Sequence, residues 1–395
     1  MEKGINKSSK EKKILLISHE LSNTGAPILC RNISAELKRM GYSTVIISLC
    51  KGKVTHKFLE SADEIKVVNI RHSYIKKALR MINPKWGREK SSRLNHLIKH
   101  YWRKGYKKAI VNSMESGSIV PYMKKNGYEI ITLVHEMKSV YERFNAYDKL
   151  ENISQYSDYV VFPGNAVKND FLEASGKEIK GKICMIPQGL YKKQTNICNH
   201  ETARQKLNDI FMADEESKYL VCSGAFAIIK GVDFAPLILN RLREHKELHL
   251  IWMGEIIKDP YSVAVINQIK RMGMEKRIHF TGFIDDEEKY NNILCGSEAF
   301  LLLSREDPMP SVMAEAIAMK LPVVAFKGSG GAEELLGEGR GILAEYCDIN
   351  DICDKIELIL TKKINIDNIK NDAYTYLNKN LVFKDYVEKL VNLFD

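Results

Sequence analysis

Short, almost continuously apolar runs separated by longer stretches of helical pattern recur along this 395-residue chain, in two successive series. The first series is KKILLIS, STVIIS, KVVNI, AIVNS, IITLVH and DYVVF, and it closes on ICMIPQGLYKK. The second begins at YLVCSG and continues through LHLIWMG, RIHFTGF, AFLLLS, LPVVAF and GILAE. A strand that is apolar along its whole length has no solvent face, so it belongs in a sheet covered on both sides. Parallel strands need crossover connections, and the helical stretches supply them. At this length two such series call for two cores rather than one. The expected fold class is therefore α/β, with two Rossmann-like parallel-sheet domains facing each other across a cleft. The expected boundaries are 1–185 and 186–380. The segment 381–395, which contains VFKDYVEKLVNLF, has helical amphipathic spacing and is expected to pack back on the first domain.

Composition narrows the class further. A hydrophobic fraction of 45% with 28% charged residues fits a globular chain. The formal charge of +10 attracts anionic partners without choosing among them. No nucleic-acid module is recognisable, so nucleic acid is not an expected partner. The N-terminal MEKGINKSSKEKK lacks the apolar run of a secretory signal, and no run of 18 apolar residues occurs. Eight scattered cysteines without a C-x-x-C pair point to a reduced, cytoplasmic protein. Of these, Cys30, Cys50, Cys184 and Cys222 read as small buried hydrophobes.

The segment SREDPMPSVMAE, Ser304 to Glu315, carries the most chemistry. A strand ends in polar residues, two prolines stiffen the turn, and a helix begins at Ser311. Amides at a helix start favour an anion. Asp307 and Glu315 lie eight apart, one before the helix and one on its first turns, so both can face one ligand. Carboxylates supply the acceptors that neighbouring sugar hydroxyls require.

The run SREDPMPSVMAEAIAMKLPVVAFKGSGGAEE resembles the donor-site signature of the family 4 glycosyltransferases, which have the GT-B fold and retain anomeric configuration. ISHELSNTGAPILCRNISAELKRMGYSTVIIS, LVHE, IPQGLYK, KGVDF, HLIWMGE and IHFTGF resemble further landmarks of that family, in the same order. The resemblance runs from about Ile14 to Leu343. It implies that Glu315 holds the ribose hydroxyls of a nucleoside-diphosphate sugar and that Asp307, in place of the usual Glu, contacts the transferred sugar. It implies donor contacts at Met309 and at the amides of Ser311 and Val312. Lys230 would neutralise the diphosphate leaving group. The arginine that often accompanies this lysine would fall at Ala225 or Ile229, so it is missing. Gly25 would let backbone approach a phosphate. His135 would face the transferred sugar, with Glu136, Asn112 and Ser113 nearby. Gly282 and Phe283 would border the base, and Gly330 and Gly331 would let the chain pass close to the donor.

The implied function is a retaining hexosyltransferase that moves sugar to a glycan or lipid-linked glycan acceptor in cell-surface polysaccharide or lipopolysaccharide assembly. No D-x-D motif occurs, so no metal and no other cofactor is expected. Alternatives are another GT-B enzyme, such as an epimerase, and a non-catalytic sugar-nucleotide or membrane-surface binding protein. Between Lys76 and Lys108 the chain holds twelve Lys or Arg against the single acid Glu89, interleaved with Trp86, Tyr101, Trp102 and Tyr106. This basic amphipathic stretch is expected to bind an anionic membrane surface peripherally, its rings settling at the interface.

Overall fold

The computed structural model describes residues 12–52, 56–69, 85–192 and 199–394. The chain divides into two compact units: Met1–Ile186 with Lys384–Asp395, and Pro187–Phe383.

Among the described residues the first unit carries seven strands: β1 (Lys13–Ser18), β2 (Ser43–Ser48), β3 (Glu64–Val67), β4 (Lys108–Asn112), β5 (Glu129–Leu133), β6 (Tyr159–Phe162) and β7 (Lys182–Met185). They lie side by side in the order β3-β2-β1-β4-β5-β6-β7, and the paired strands run parallel. The second unit has six: β8 (Lys218–Ser223), β9 (Leu248–Met253), β10 (Ile278–Gly282), β11 (Ala299–Leu302), β12 (Val323–Phe326) and β13 (Ile342–Ala344). Their order is β10-β9-β8-β11-β12-β13, again parallel. Both sheets follow the doubly wound plan, in which the chain reverses direction beside the first strand of each unit. That reversal leaves a crevice at the carboxyl ends of β1 and β4 in one unit and of β8 and β11 in the other.

The core follows the sequence pattern. β1 buries Ile14 through Ser18, and the helix Gly25–Arg39 buries Leu29, Cys30, Ile33 and Leu37 on one stripe. That helix begins two residues before Pro27, because a proline is tolerated in a first turn. The loop after β8 forms a 3-10 turn, Ile228–Lys230, followed by a helix over Phe234–Arg241. Gly231 separates them at φ +73, a conformation open to glycine, and a Cβ there would lie 2.0 Å from the Leu303 carbonyl oxygen. The helix after β9 starts at Pro260, where Asp259 caps it by accepting from the Ser262 N–H at 2.8 Å.

Two expectations need correction. Cys30 and Cys222 are buried, but Cys50 and Cys184 are only partly so. Cys184 lies on β7, the last strand of its sheet, where one side has no neighbouring strand among the described residues. Tyr101 and Tyr106 of the basic stretch are not at a surface either, and the side chain of Trp86 lies outside the described residues. On the helix Lys85–Arg103 and just beyond it, Tyr101 and Tyr106 are buried with Leu94 and Ile98, and Trp102 packs against the same cluster. The Tyr101 hydroxyl donates to Glu64 at 2.5 Å. The core has taken the apolar face, and what remains outward is charge: Arg93, Lys99, Arg103, Lys104 and Lys107 are exposed. Lys76, Lys77 and Arg80 lie outside the described residues.

Candidate functional site

In the second unit, the loops that leave β8 and β11 flank the crevice. The first carries Lys230 and the second Asp307. The structure sets them on each other: Lys230 Nζ lies 2.5 Å from Asp307 Oδ2. That oxygen also accepts from the Ser304 hydroxyl at 3.2 Å. The Asp307 backbone is fixed as well, its N–H donating to the Ser329 carbonyl at 2.6 Å and its carbonyl accepting from the Gly331 N–H at 2.9 Å. A Cβ at Gly331 would come within 2.4 Å of the Pro308 carbonyl oxygen, so this crossing needs glycine. The Asp307 side chain is 7% exposed and Lys230 28%, which leaves the lysine as the more accessible partner.

Glu315 stands on the helix Ser311–Ala318 and is buried. Burial pushes its carboxyl above the ordinary carboxylate range, while Lys192 and Tyr290 pull it back. Lys192 Nζ sits 3.7 Å from Glu315 and 3.9 Å from the centre of the Tyr290 ring. Each acid of the pair therefore has its own lysine. Lys192 was not singled out in the sequence; it ends the landmark IPQGLYK, and a lysine in a polar stretch carries no signal of its own.

Pro310 precedes that helix and provides no side-chain cap. The first-turn amides of Ser311 and Val312, both partly exposed, are thus without a side-chain acceptor on the cap residue. Met309 is partly exposed beside them. Gly282 ends β10 with φ +70 and nothing within 4 Å of an added Cβ, and Phe283 after it is 67% exposed. Ala225 and Ile229 supply no charge. The nearby Arg305 does not fill that gap, because its guanidinium is committed to Asp233 at 2.8 Å.

In the first unit, the ends of β1, β4 and β5 bring Gly25, Asn112 and His135 into one group. An added Cβ at Gly25 meets nothing within 4 Å. The Asn112 amide nitrogen donates to the Ala26 carbonyl at 2.8 Å. Its oxygen therefore faces His135 Nε2 at 3.2 Å, which assigns the ring proton to Nε2. His135 Nδ1 is left as a buried lone pair with no hydrogen-bond partner among the described residues. Burial lowers the His135 pKa, against the opposing charge of Glu136, so the ring is neutral. Glu136 is consumed internally. It accepts from the Ser113 hydroxyl and from the N–H groups of Met114 and His135, both at 3.1 Å. These bonds hold Ser113 at φ +74, a conformation rare outside glycine. Glu136 and Ser113 thus shape the strand ends, while His135 presents the open atom.

Comparison with known proteins bears on the fold and the family. Residues 203–376 match the family described as glycosyl transferases group 1, and residues 10–81 match glycosyl-transferase family 4. A mannosylfructose-phosphate synthase of Agrobacterium fabrum is 29% identical over 178 residues, 43% of this chain and 38% of that protein. An N-acetyl-α-D-glucosaminyl L-malate synthase of Bacillus anthracis is 22% identical over 215 residues, 53% of this chain and 52% of that one. The chain thus spans about half or less of the length of these curated relatives. Among solved structures, Anabaena HepE in complex with UDP and glucose superposes with a TM-score of 0.78 at 17% identity, covering 97% of this chain and 99% of that one. Sucrose-phosphate synthase of Thermosynechococcus elongatus gives 0.75 at 17% identity, covering 97% and 98%. These likenesses fix the fold as the two-unit GT-B type.

Proposed function

We propose, from its membership of the family 4, group 1 type of glycosyl transferases, that this chain moves a hexose-type sugar from a nucleoside-diphosphate donor to a glycan or lipid-linked glycan acceptor. The observation that carries the reading is the arrangement at the β8/β11 crevice: two buried acids, each matched to a lysine, with an uncapped helix start between them.

The chemistry follows from charge. As the bond from the anomeric carbon to the diphosphate breaks, positive charge grows on the sugar and negative charge on the leaving group. Lys230 and the amides of Ser311 and Val312 stabilise the second. Glu315 accepts the ribose hydroxyls. Arrival of the diphosphate draws Lys230 from Asp307 and frees that carboxylate for hydroxyls of the sugar. In the first unit, His135 Nδ1 accepts a hydroxyl from substrate. Both acids then have binding roles and neither serves as a nucleophile, which supports front-face transfer with retained configuration. A lysine and amides as the positive groups, with no D-x-D motif, support transfer without a metal.

The exposed cations Arg93, Lys99, Arg103, Lys104 and Lys107 support peripheral attachment to an anionic membrane face on the cytoplasmic side, where a lipid-linked acceptor of cell-surface polysaccharide assembly would lie. With Tyr101 and Tyr106 in the core, that attachment is electrostatic. Liposome co-sedimentation should therefore need anionic lipid and should fail at high salt; pelleting with neutral vesicles would contradict it.

The decisive test is a thermal-shift screen of UDP-, GDP- and ADP-sugars. A donor at a hundred times its Kd stabilises by about 2.7 kcal/mol. The donor that shifts the melt is then assayed for transfer and hydrolysis. No shift with any donor sinks the proposal, and binding without turnover points to a sugar-nucleotide binding protein instead.

A further inference from the structure

Lys230 leaves a 3-10 turn of three residues, Ile228–Lys230. So short a turn cannot hold itself in place. Its N–H groups are met locally, Lys230 donating to the Ala227 carbonyl at 2.9 Å and Gly231 to Ile228 at 3.0 Å. Its position, however, is set by Arg305 on the loop after β11. The Arg305 N–H donates to the Ile229 carbonyl at 2.8 Å, and its Nη1 donates to the Ile228 carbonyl at 2.5 Å. The guanidinium then closes on Asp233 as a fork, Nη1 to Oδ1 at 2.9 Å and Nη2 to Oδ2 at 2.8 Å, and lies 4.2 Å from the centre of the Phe234 ring. The Tyr261 hydroxyl donates to the same Asp233 Oδ1 at 2.7 Å. Burial pushes the Asp233 carboxyl up, but Arg305 and Tyr261 outweigh it and hold it below the ordinary range.

Two ion pairs thus join the same two loops with their charges crossed. Lys230 and Asp233 are on one loop; Asp307 and Arg305 are on the other. We propose that the Asp233–Arg305 fork is a positioning device, which fixes the turn bearing Lys230 while that lysine exchanges Asp307 for the phosphates of a nucleoside diphosphate. The inference rests on the donor-site reading above. If Lys230–Asp307 were the only bridge, a bound anion would break the contact that places its own ligand. With the fork in place the exchange needs side-chain rotation alone. The fork is specific to arginine, since a lysine at 305 keeps the charge but cannot make the two parallel bonds. It also accounts for an arginine lying close to the crevice without acting as the second diphosphate cation.

The test is a double-mutant cycle on UDP binding by calorimetry, with melting temperatures recorded throughout. Lys230→Met and Arg305→Met should each weaken UDP about tenfold. Because Arg305 acts through Lys230, the pair together should weaken it about tenfold as well, rather than about a hundredfold. Arg305→Lys should recover melting temperature more than affinity. Amide exchange over residues 226–233 should quicken in Arg305→Met. Should that variant fail to fold, Asp233→Asn, which keeps its shape and a partner in Tyr261, replaces it in the same cycle. Multiplicative losses in the double variant, native UDP affinity in Arg305→Met, or unchanged exchange in 226–233 would each overturn the proposal while the donor-site reading stands. A native protein that binds none of UDP, GDP and ADP removes that reading, and the inference with it.

Discussion

Replacing Lys230 with methionine isolates its charge. The lysine stem lies over Gly224, where an added Cβ would come within 3.2 Å of Lys230 Cγ and Cδ, and methionine preserves most of that stem. What disappears is the 2.5 Å contact to Asp307, whose side chain is 7% exposed and would keep only the Ser304 hydroxyl. A buried charge that loses its main partner costs roughly 1–3 kcal/mol. Taking about 2 kcal/mol, and roughly 2–4 °C per kcal/mol for a unit of this size, the melting temperature should fall by roughly 4–8 °C. The variant Lys230→Met/Asp307→Asn removes the stranded charge and should recover most of that loss, while donor turnover stays low in both. Differential scanning calorimetry measures all of this. A Lys230→Met melt within about 1 °C of native, or a double variant no better than the single, would refute the reasoning.

Glu315→Gln should leave the melt near native, since it removes a buried charge, yet lower transfer at least about a hundredfold; a native rate would contradict its role at the ribose. His279 is held at about 4 by burial and by the neighbouring His249, against an ordinary 6.5, and its ring nitrogen lies 2.9 Å from that of His249. The unfolded chain therefore takes up the proton first as pH falls, so stability should decline between about 6.5 and about 4, and His279→Gln should flatten that slope in thermal melts. Asn112→Asp sets a negative oxygen against His135 Nε2 and should raise the His135 pKa; imidazole nitrogen shifts in NMR report it, and an unmoved titration would contradict the Asn112–His135 contact.

Both sheets were legible in the sequence because fully buried strands leave an apolar run that helices interrupt. Asp307 and Glu315 stood out from the strand–turn–helix segment that holds them, whereas Lys230 and His135 were legible only through the family resemblance; neither reading says what each residue touches. Lys230 and Asp307 are 77 residues apart, and nothing in local pattern says that they meet. Lys192 became visible only when folding set it beside Glu315. The helix Lys85–Arg103 shows a different limit. An amphipathic basic helix has the same spacing whether its apolar face meets lipid or protein, and here Tyr101 and Tyr106 met protein. Cys184 shows a third, because a strand's place at the edge of a sheet is a property of the order of strands rather than of the strand.

The grouping of Lys384–Asp395 with the first unit has a consequence for synthesis. Within that segment Tyr386, Val387, Leu390 and Val391 are buried, and Lys108 lies over the Phe394 ring at 5.4 Å. A ribosome delivers residues 187–383 before any of it. At about 5–20 residues per second, that interval lasts roughly 10–40 s. During it the first unit has its whole sheet but lacks one of its helices, and the apolar surface which that helix covers is open to water and to chaperones. The second unit needs nothing that comes later. The unit begun first is thus completed last, and a stop codon after residue 383 should spare the second unit while leaving the first prone to aggregate.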